Sequence, residues 1–325
     1  MRILFSVSYA MNLKIAPGPY GGHEVSVLAR SSDWGKQGLK KYPHYAREAL
    51  RLIRKARGYD ALALFTAGME AFFIGTLRRF LPGNTRLVCA DFLIPRKSPL
   101  LAPVSAGLRQ IDAFVCIRKG DMETLQRRFR IPPSRCSFAH FPCDCAAMSH
   151  PTTEAGYIYS AGWAHRDWPL LLRALTQVEC PAILSACGDL KPTSGMASRV
   201  RILPQRSPAE GQRLMADASM VVLPMAETEL PSGPLVLLDA MAMGKALIVT
   251  DVNGSRDYVT HGKTGWVVPP GDDKALAHAI QELTQNSPLR RQIGQAAREE
   301  ALRRFTTGAF IEKTLAACAT TAESR

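Results

Sequence analysis

Residues 232–273 read SGPLVLLDAMAMGKALIVTDVNGSRDYVTHGKTGWVVPPGDD, and no other stretch constrains the fold as much. Pro234 suits the first turn of a helix, where its missing N–H is not needed. Leu235, Leu238, Met241 and Ala242 recur at helical spacing and give that helix a buried face. Gly244 stands where a glycine closes a helix. Ala246–Thr250 is a short apolar run without a polar face, as a buried parallel strand requires. A glycine-bearing loop, Asp251–Ser255, follows. Gly262 and Gly265 bracket another turn, and Pro269-Pro270-Gly271-Asp272 leads into a helix with an Asp at its N-cap. The block is a helix–strand–loop unit with its loops at strand C-termini, where open α/β sheets bind ligands.

The rest of the chain alternates in the same way. Strands are expected at Arg2–Ser8, Gly22–Leu28, Tyr59–Thr66, Thr85–Asp91, Asp112–Ile117 and Cys136–Phe141. Helices are expected at Tyr45–Arg57, Glu70–Phe80, Leu100–Gln110 and Asp121–Phe129. The segment Tyr9–Gly21 contains Pro17, Gly18, Pro19 and Gly21 and cannot make a regular helix. Alternatively, Gly21-Gly22-His23-Glu24 opens a first helix, which leaves the second strand unassigned. Beyond residue 150 the strands are Tyr157–Ala161, Ala182–Ala186, Val200–Leu203 and Met220–Leu223. The helices are Pro169–Leu175, Lys274–Thr284, Leu289–Phe305 and Phe310–Ala319. Strict β/α alternation over 325 residues argues for two doubly wound parallel-sheet domains, 1–149 and 150–325.

Charge divides the two halves. Residues 1–149 hold 23 Lys/Arg against 10 Asp/Glu, while residues 150–325 hold 18 of each, so the net +13 lies wholly in the first half. A basic half beside a neutral one points to an anionic partner of the first domain. On the helix 45–57, Arg47, Arg51, Arg54 and Lys55 share one face, with Leu50, Ile53 and Ala46 on the other, packed on the sheet. An anionic membrane surface is the expected partner of that face. Nucleic acid is not expected, because no recognised binding motif or aromatic interleaving accompanies the basic residues. The eight cysteines show no zinc spacing and read as reduced thiols of a cytoplasmic protein. The apolar start MRILFSVSYA reads as a first strand rather than a leader.

The 232–273 block closely resembles the donor-binding signature of retaining, nucleotide-sugar-dependent glycosyltransferases of family 4. That signature is a Glu, seven residues, and a second Glu followed by Ala-Met and a Gly before a buried strand. Asp239 takes the second acidic place, and the first falls on Pro231, with Glu227 and Glu229 nearby. Gly22–Leu28 is similar to the family's Gly-His-Glu-Val-Thr-Val-Leu stretch. The resemblance implies the GT-B fold, two Rossmann-like domains facing across a cleft, with the last helix returning to the first domain. It implies a retaining, hexosyltransferase-type enzyme that moves sugar from a nucleotide-sugar donor to a glycan, lipid-linked or other acceptor. A non-catalytic GT-B scaffold or regulator, motivated by Pro231, by Trp163 and by the lost first helix, is the alternative.

The resemblance also assigns roles. The diphosphate would meet the helix starts at Ser232, Gly233, Pro234, Leu235 and Val236 and at Asp167–Leu170. Arg166 would be the cation, beside Gly162 and His165; the family's Gly-Arg start is Gly162-Trp163 here. Asp239 would accept from the ribose hydroxyls, Arg206 would lie near the base, and Glu229 would take part nearby. Asp91 loosely occupies the place of a family His-Asp pair, its His being Ala90, and would touch sugar or acceptor. His23, His140 and His165 are acid/base candidates in the abstract. No Asp-x-Asp occurs in the chain, and the resemblance implies metal-independent chemistry with no cofactor.

Overall fold

A computed structural model describes residues 1–8, 15–30, 42–81, 83–92, 101–144, 148, 153–162, 164–186, 190–192, 195–228 and 234–320. The chain forms two compact units, Met1–Phe141 with Thr307–Arg325, and Pro142–Thr306. The first division falls eight residues before the expected boundary at 149/150, and Thr307–Arg325 joins the first unit rather than the second.

The first unit is built on a seven-stranded sheet in the order β2-β3-β1-β4-β5-β6-β7. Its strands are β1 (Arg2–Ser8), β2 (Gly18–Tyr20), β3 (His23–Arg30), β4 (Ala61–Ala67), β5 (Arg86–Phe92), β6 (Ala113–Cys116) and β7 (Cys136–Phe138). All pair in parallel except β2, which lies antiparallel to β3. Tyr20 faces His23 across Gly21 and Gly22, whose φ values are +54° and +79°. Two positive φ angles in a two-residue loop are what a tight hairpin needs, so these glycines turn the chain and do not open a helix.

Helices α1 (Tyr42–Lys55), α2 (Met69–Thr76), α3 (Leu101–Leu108) and α4 (Lys119–Phe129) complete this unit. One expectation for α1 is overturned: Leu50 is 47% exposed, and the packed face is Tyr45, Glu48, Ala49, Leu52 and Ile53. Positions 45, 48–49 and 52–53 recur at i, i+3/i+4 and i+7/i+8 and form one stripe, and Leu50 lies outside it. Helix α2 ends at Thr76, and the chain continues through one tight turn, Arg78–Phe80. The last helix, α10 (Thr307–Ala319), packs on β4, β5 and β6. Its Phe310 packs edge-on against Phe65 and tilted against Phe141.

The second unit holds a six-stranded, all-parallel sheet in the order β10-β9-β8-β11-β12-β13. The strands are β8 (Ile158–Ala161), β9 (Ala182–Ala186), β10 (Val200–Pro204), β11 (Met220–Leu223), β12 (Ala246–Thr250) and β13 (Trp266–Val268). Chain order runs outward in both directions from the β8/β11 pair, so the topological switch point lies there. The helices are α5 (Trp168–Thr176), α6 (Pro208–Asp217), α7 (Leu235–Ala242), α8 (Asp273–Gln285) and α9 (Ser287–Arg304). Asp272 caps α8 as expected, its side chain accepting from the Ala275 amide at 2.9 Å. Gly244 follows α7 at φ +71°, and Gly294 of α9 lies against its carbonyl so tightly that no Cβ would fit.

Candidate functional site

The loop after β8 and the loop after β11 are stitched together at the switch point. Arg166 and Met225 form an antiparallel bridge. The Asp167 amide donates to the Pro224 carbonyl and the Ala226 amide to the His165 carbonyl, both at 2.9 Å. To make this turn His165 adopts φ +54°, a left-handed conformation that non-glycine residues enter only under constraint. Met225 is anchored from behind by Thr250 of β12, whose Oγ1 lies 2.8 Å from both its N and its O. Asp167 then caps α5, accepting from the Leu170 amide at 3.0 Å.

Arg166 folds back over this loop rather than outward. Its Nε donates to the Ala161 carbonyl at 2.8 Å and Nη1 to the Ala164 carbonyl at 3.3 Å. The guanidinium lies over Gly162, where a Cβ would be 2.6 Å from Nη2. Gly162 has φ +114°, outside the range of ordinary side-chain-bearing residues. Burial pulls the Arg166 pKa down to about 10, and the group stays cationic at neutral pH. Among the described residues no carboxylate pairs with it. A buried, loop-locked cation at a switch point is suited to an anionic ligand group.

Asp239 sits on α7, half buried, and accepts a side-chain hydrogen bond from Gln212 of α6. Burial pushes its pKa up to about 6, and the Gln212 bond opposes the rise. A carboxylate held this way is short of donors, and a ligand diol supplies two. Pro234 caps α7, followed by the 44% exposed Leu235 and the partly buried Val236. Glu229, Pro231, Ser232, Gly233 and Trp163 lie outside the described residues.

Arg206 follows β10 and precedes the capping box Ser207–Glu210 that starts α6. Its charge reaches the hydroxyl of Tyr159, whose pKa burial raises and which hydrogen-bonds Ser185. Gly211 leaves room above that hydroxyl, since a Cβ there would lie 3.3 Å from it. Sequence reasoning missed Tyr159, Ser185 and Gln212. Helix α6 was never assigned, although Ser207 with Glu210 three residues later is a visible helix-start signature.

Asp91 belongs to the first unit. It is 2% exposed, with φ +57°, near the end of β5. Arg118 lies 4.0 Å from its carboxylate and 2.6 Å from that of Asp121, all three being buried. His23 and His140 also lie in the first unit.

Residues 193–300 match the family model described as "Glycosyl transferases group 1". The D-inositol 3-phosphate glycosyltransferase of Corynebacterium diphtheriae is 34% identical over 125 residues, 38% of this chain and 28% of that protein. The phosphatidyl-myo-inositol mannosyltransferase of Mycobacterium leprae is 34% identical over 111 residues, 34% of this chain and 29% of that protein. The chain thus spans less than a third of the length of these curated relatives. Similar solved structures cover nearly everything. Anabaena HepE in complex with UDP superposes with TM-score 0.71 at 17% identity, over 97% of this chain and 100% of that one. The lipopolysaccharide outer core galactosyltransferase WaaB gives 0.65 at 15% identity, over 98% and 99%. Two α/β domains with these neighbours make a GT-B fold.

Proposed function

We propose that this chain is a retaining, family 4 glycosyltransferase that moves a sugar from a nucleotide-sugar donor to a glycan, lipid-linked or other acceptor. The observation that carries the reading is the stitched β8/β11 switch point. It bridges the Arg166 cation to Met225, inside the stretch that matches the family and that also holds the half-buried Asp239 carboxylate. In this reading Asp239 accepts from the ribose hydroxyls and Arg206 lies near the base. Arg166 and the first amides of α7 meet the diphosphate, while the Leu170 and Leu171 amides of α5 are already taken by Asp167. As the glycosidic bond to the leaving diphosphate breaks, negative charge gathers on its oxygens, and these preplaced donors stabilise it. Attack by the acceptor hydroxyl from the same face gives retention. The relatives named for glycosyl and mannosyl transfer, the UDP complex and the lipopolysaccharide enzyme support donor and acceptors of this class.

No metal or cofactor enters this account, so transfer is expected to persist in EDTA. Proton NMR of fresh product formed with EDTA present tests mechanism and metal together. A product anomer matching the donor supports the reading; an inverted anomer, or abolition by EDTA, rejects it. Pro231 in the place of the first acidic residue favours a second reading, a non-catalytic scaffold, which predicts tight donor binding with no product at all.

Cytoplasmic location with peripheral attachment to an anionic membrane belongs to the same proposal. No described helix is long and apolar enough to cross a membrane. On α1, Arg47, Arg54 and Lys55 are exposed, while Arg51 also pairs with Glu48 at 2.7 Å. Headgroup attraction is about 1 kcal/mol per basic residue near an anionic surface. Co-sedimentation with phosphatidylglycerol-containing vesicles at low salt is expected, with release at high salt. Charge reversal at Arg47 and Arg54 should weaken it without unfolding, with Arg51 left in place because it pairs with the buried Glu48. Equal binding to neutral vesicles would remove the membrane from the account.

A further inference from the structure

The first unit contains a cleft of about 500 Å³ that the chemistry above does not use. Gly83 and Gln110, just before β5 and β6, line it, so it opens at the N-terminal edge of the sheet. Open α/β sheets take their ligands at the other edge. Its floor is the crossing of α2 and α3, where Gly75 and Gly107 meet backbone to backbone with no room for a Cβ.

The lining is cationic. Arg78 and Arg79 face the cleft with Thr76 and Gln110, and no carboxylate is among the described lining residues. Arg78 is partly committed: one Nη2 donates to the Thr85 carbonyl at 2.7 Å and lies 3.7 Å from Asp112. Its Nε is buried with no hydrogen-bond partner among the described residues. A buried N–H without an acceptor is costly and marks a place where an acceptor is missing. Arg79 is exposed, its guanidinium 4.9 Å from the centre of the Phe80 ring, which is itself 50% exposed.

Helix C-termini repel anions, and α2 and α3 both end here. Their last carbonyls are largely taken, however. Leu77 N donates to Phe73 O at 3.0 Å, Arg109 N to Ala106 O at 3.2 Å and Gln110 N to Gly107 O at 3.0 Å. Thr76 Oγ1 donates to Phe72 O at 2.9 Å, so its hydroxyl offers no free proton. The guanidinium groups are left as the dominant unspent donors.

We propose that this cleft is a binding site for a phosphate-bearing anion, held by the Arg79 fork, the Arg78 Nε–H and the Gln110 amide. Planar guanidinium groups match phosphate oxygens in pairs, which a lysine cannot do. A soluble phosphate ester and a phospholipid headgroup present the same oxyanion. The site is independent of the donor reading, since it lies in the other unit and shares no residue with it.

The test uses the full chain and two probes. Glycerol 3-phosphate is titrated calorimetrically, and vesicles of phosphatidylcholine with phosphatidylglycerol are compared with pure phosphatidylcholine by co-sedimentation. Arg79→Ala, Arg79→Lys and Gln110→Ala are compared with wild type; Arg79 is exposed, so its variants should fold. Arg79→Ala should weaken one probe on the order of tenfold, and Arg79→Lys should restore little. Loss of glycerol 3-phosphate binding assigns a soluble ester, and loss confined to vesicles assigns a headgroup. Nucleotide-sugar binding should stay unchanged in these variants, so failure here is separable from failure of the donor reading. If neither probe binds wild type, or both bind Arg79→Ala equally well, the proposal falls.

Discussion

Asp239→Asn is expected to make the protein more stable at pH 8 and a far poorer binder of its donor. Burial raises the Asp239 pKa from the ordinary 3.8 to about 6. The folded state therefore holds this proton more tightly than the unfolded chain does. The resulting stability is fully present below about 3.8 and is lost as pH rises through about 6. At pH 8 the wild type carries the whole cost of a buried carboxylate. With about 1.4 kcal/mol per pKa unit, that cost is on the order of 2–3 kcal/mol. Asn has no charge to bury and can keep the contact with Gln212. Its melting temperature should exceed that of wild type by several degrees at pH 8, and the gap should close as pH falls toward 4. Donor affinity should move the other way. Losing a charged acceptor of ligand hydroxyls removes about 1.5–3 kcal/mol, roughly tenfold to a hundredfold. Wild-type donor affinity should itself decline below about pH 6, where Asp239 takes up its proton. Equal melting temperatures at every pH would show that Asp239 is not desolvated.

Gly162→Ala should behave as a copy of Arg166→Ala in donor binding. A methyl on Gly162 would lie 2.6 Å from Nη2 and 2.9 Å from Cζ of Arg166, so the cation must leave its place. The φ of +114° adds backbone strain on the order of 1–3 kcal/mol for an alanine. Each single variant should weaken donor binding by roughly tenfold to a hundredfold. Because the glycine acts through the arginine, the double variant should bind donor no worse than Arg166→Ala alone. Full additivity, or wild-type affinity in Gly162→Ala, would detach Gly162 from the site.

The parts of this site that could be read from sequence are those that one segment determines by itself. Strands Ala182–Ala186, Met220–Leu223 and Ala246–Thr250 fall where the apolar runs placed them, because a parallel strand buried on both faces reads as a nearly continuous apolar run. Asp239 and Arg166 stood out for the same reason, each lying in a short stretch with its own pattern. What depends on two distant segments stayed hidden. The Arg166 fold-back needs the Arg166–Met225 bridge, which joins residues far apart in sequence. Gln212 could not be paired with Asp239 without α6, of which only Met215 and Ala216 are buried, too few for an apolar stripe. Strand β13 is three residues long and gives no period to detect. Leu50 was misplaced because a helix with apolar residues at 46, 49, 50, 52 and 53 allows two neighbouring stripes, and packing chose the one through Tyr45.

The central claim is that the second unit binds a nucleotide-sugar through Arg166 and Asp239. Isothermal titration of the full chain with a panel of nucleoside diphosphate sugars tests it most directly, repeated on Asp239→Asn and Arg166→Ala. The account predicts one-to-one binding of at least one member of the panel, weakened roughly tenfold to a hundredfold in each variant while both variants remain folded. No binding by any member, or undiminished binding in both variants, would contradict it.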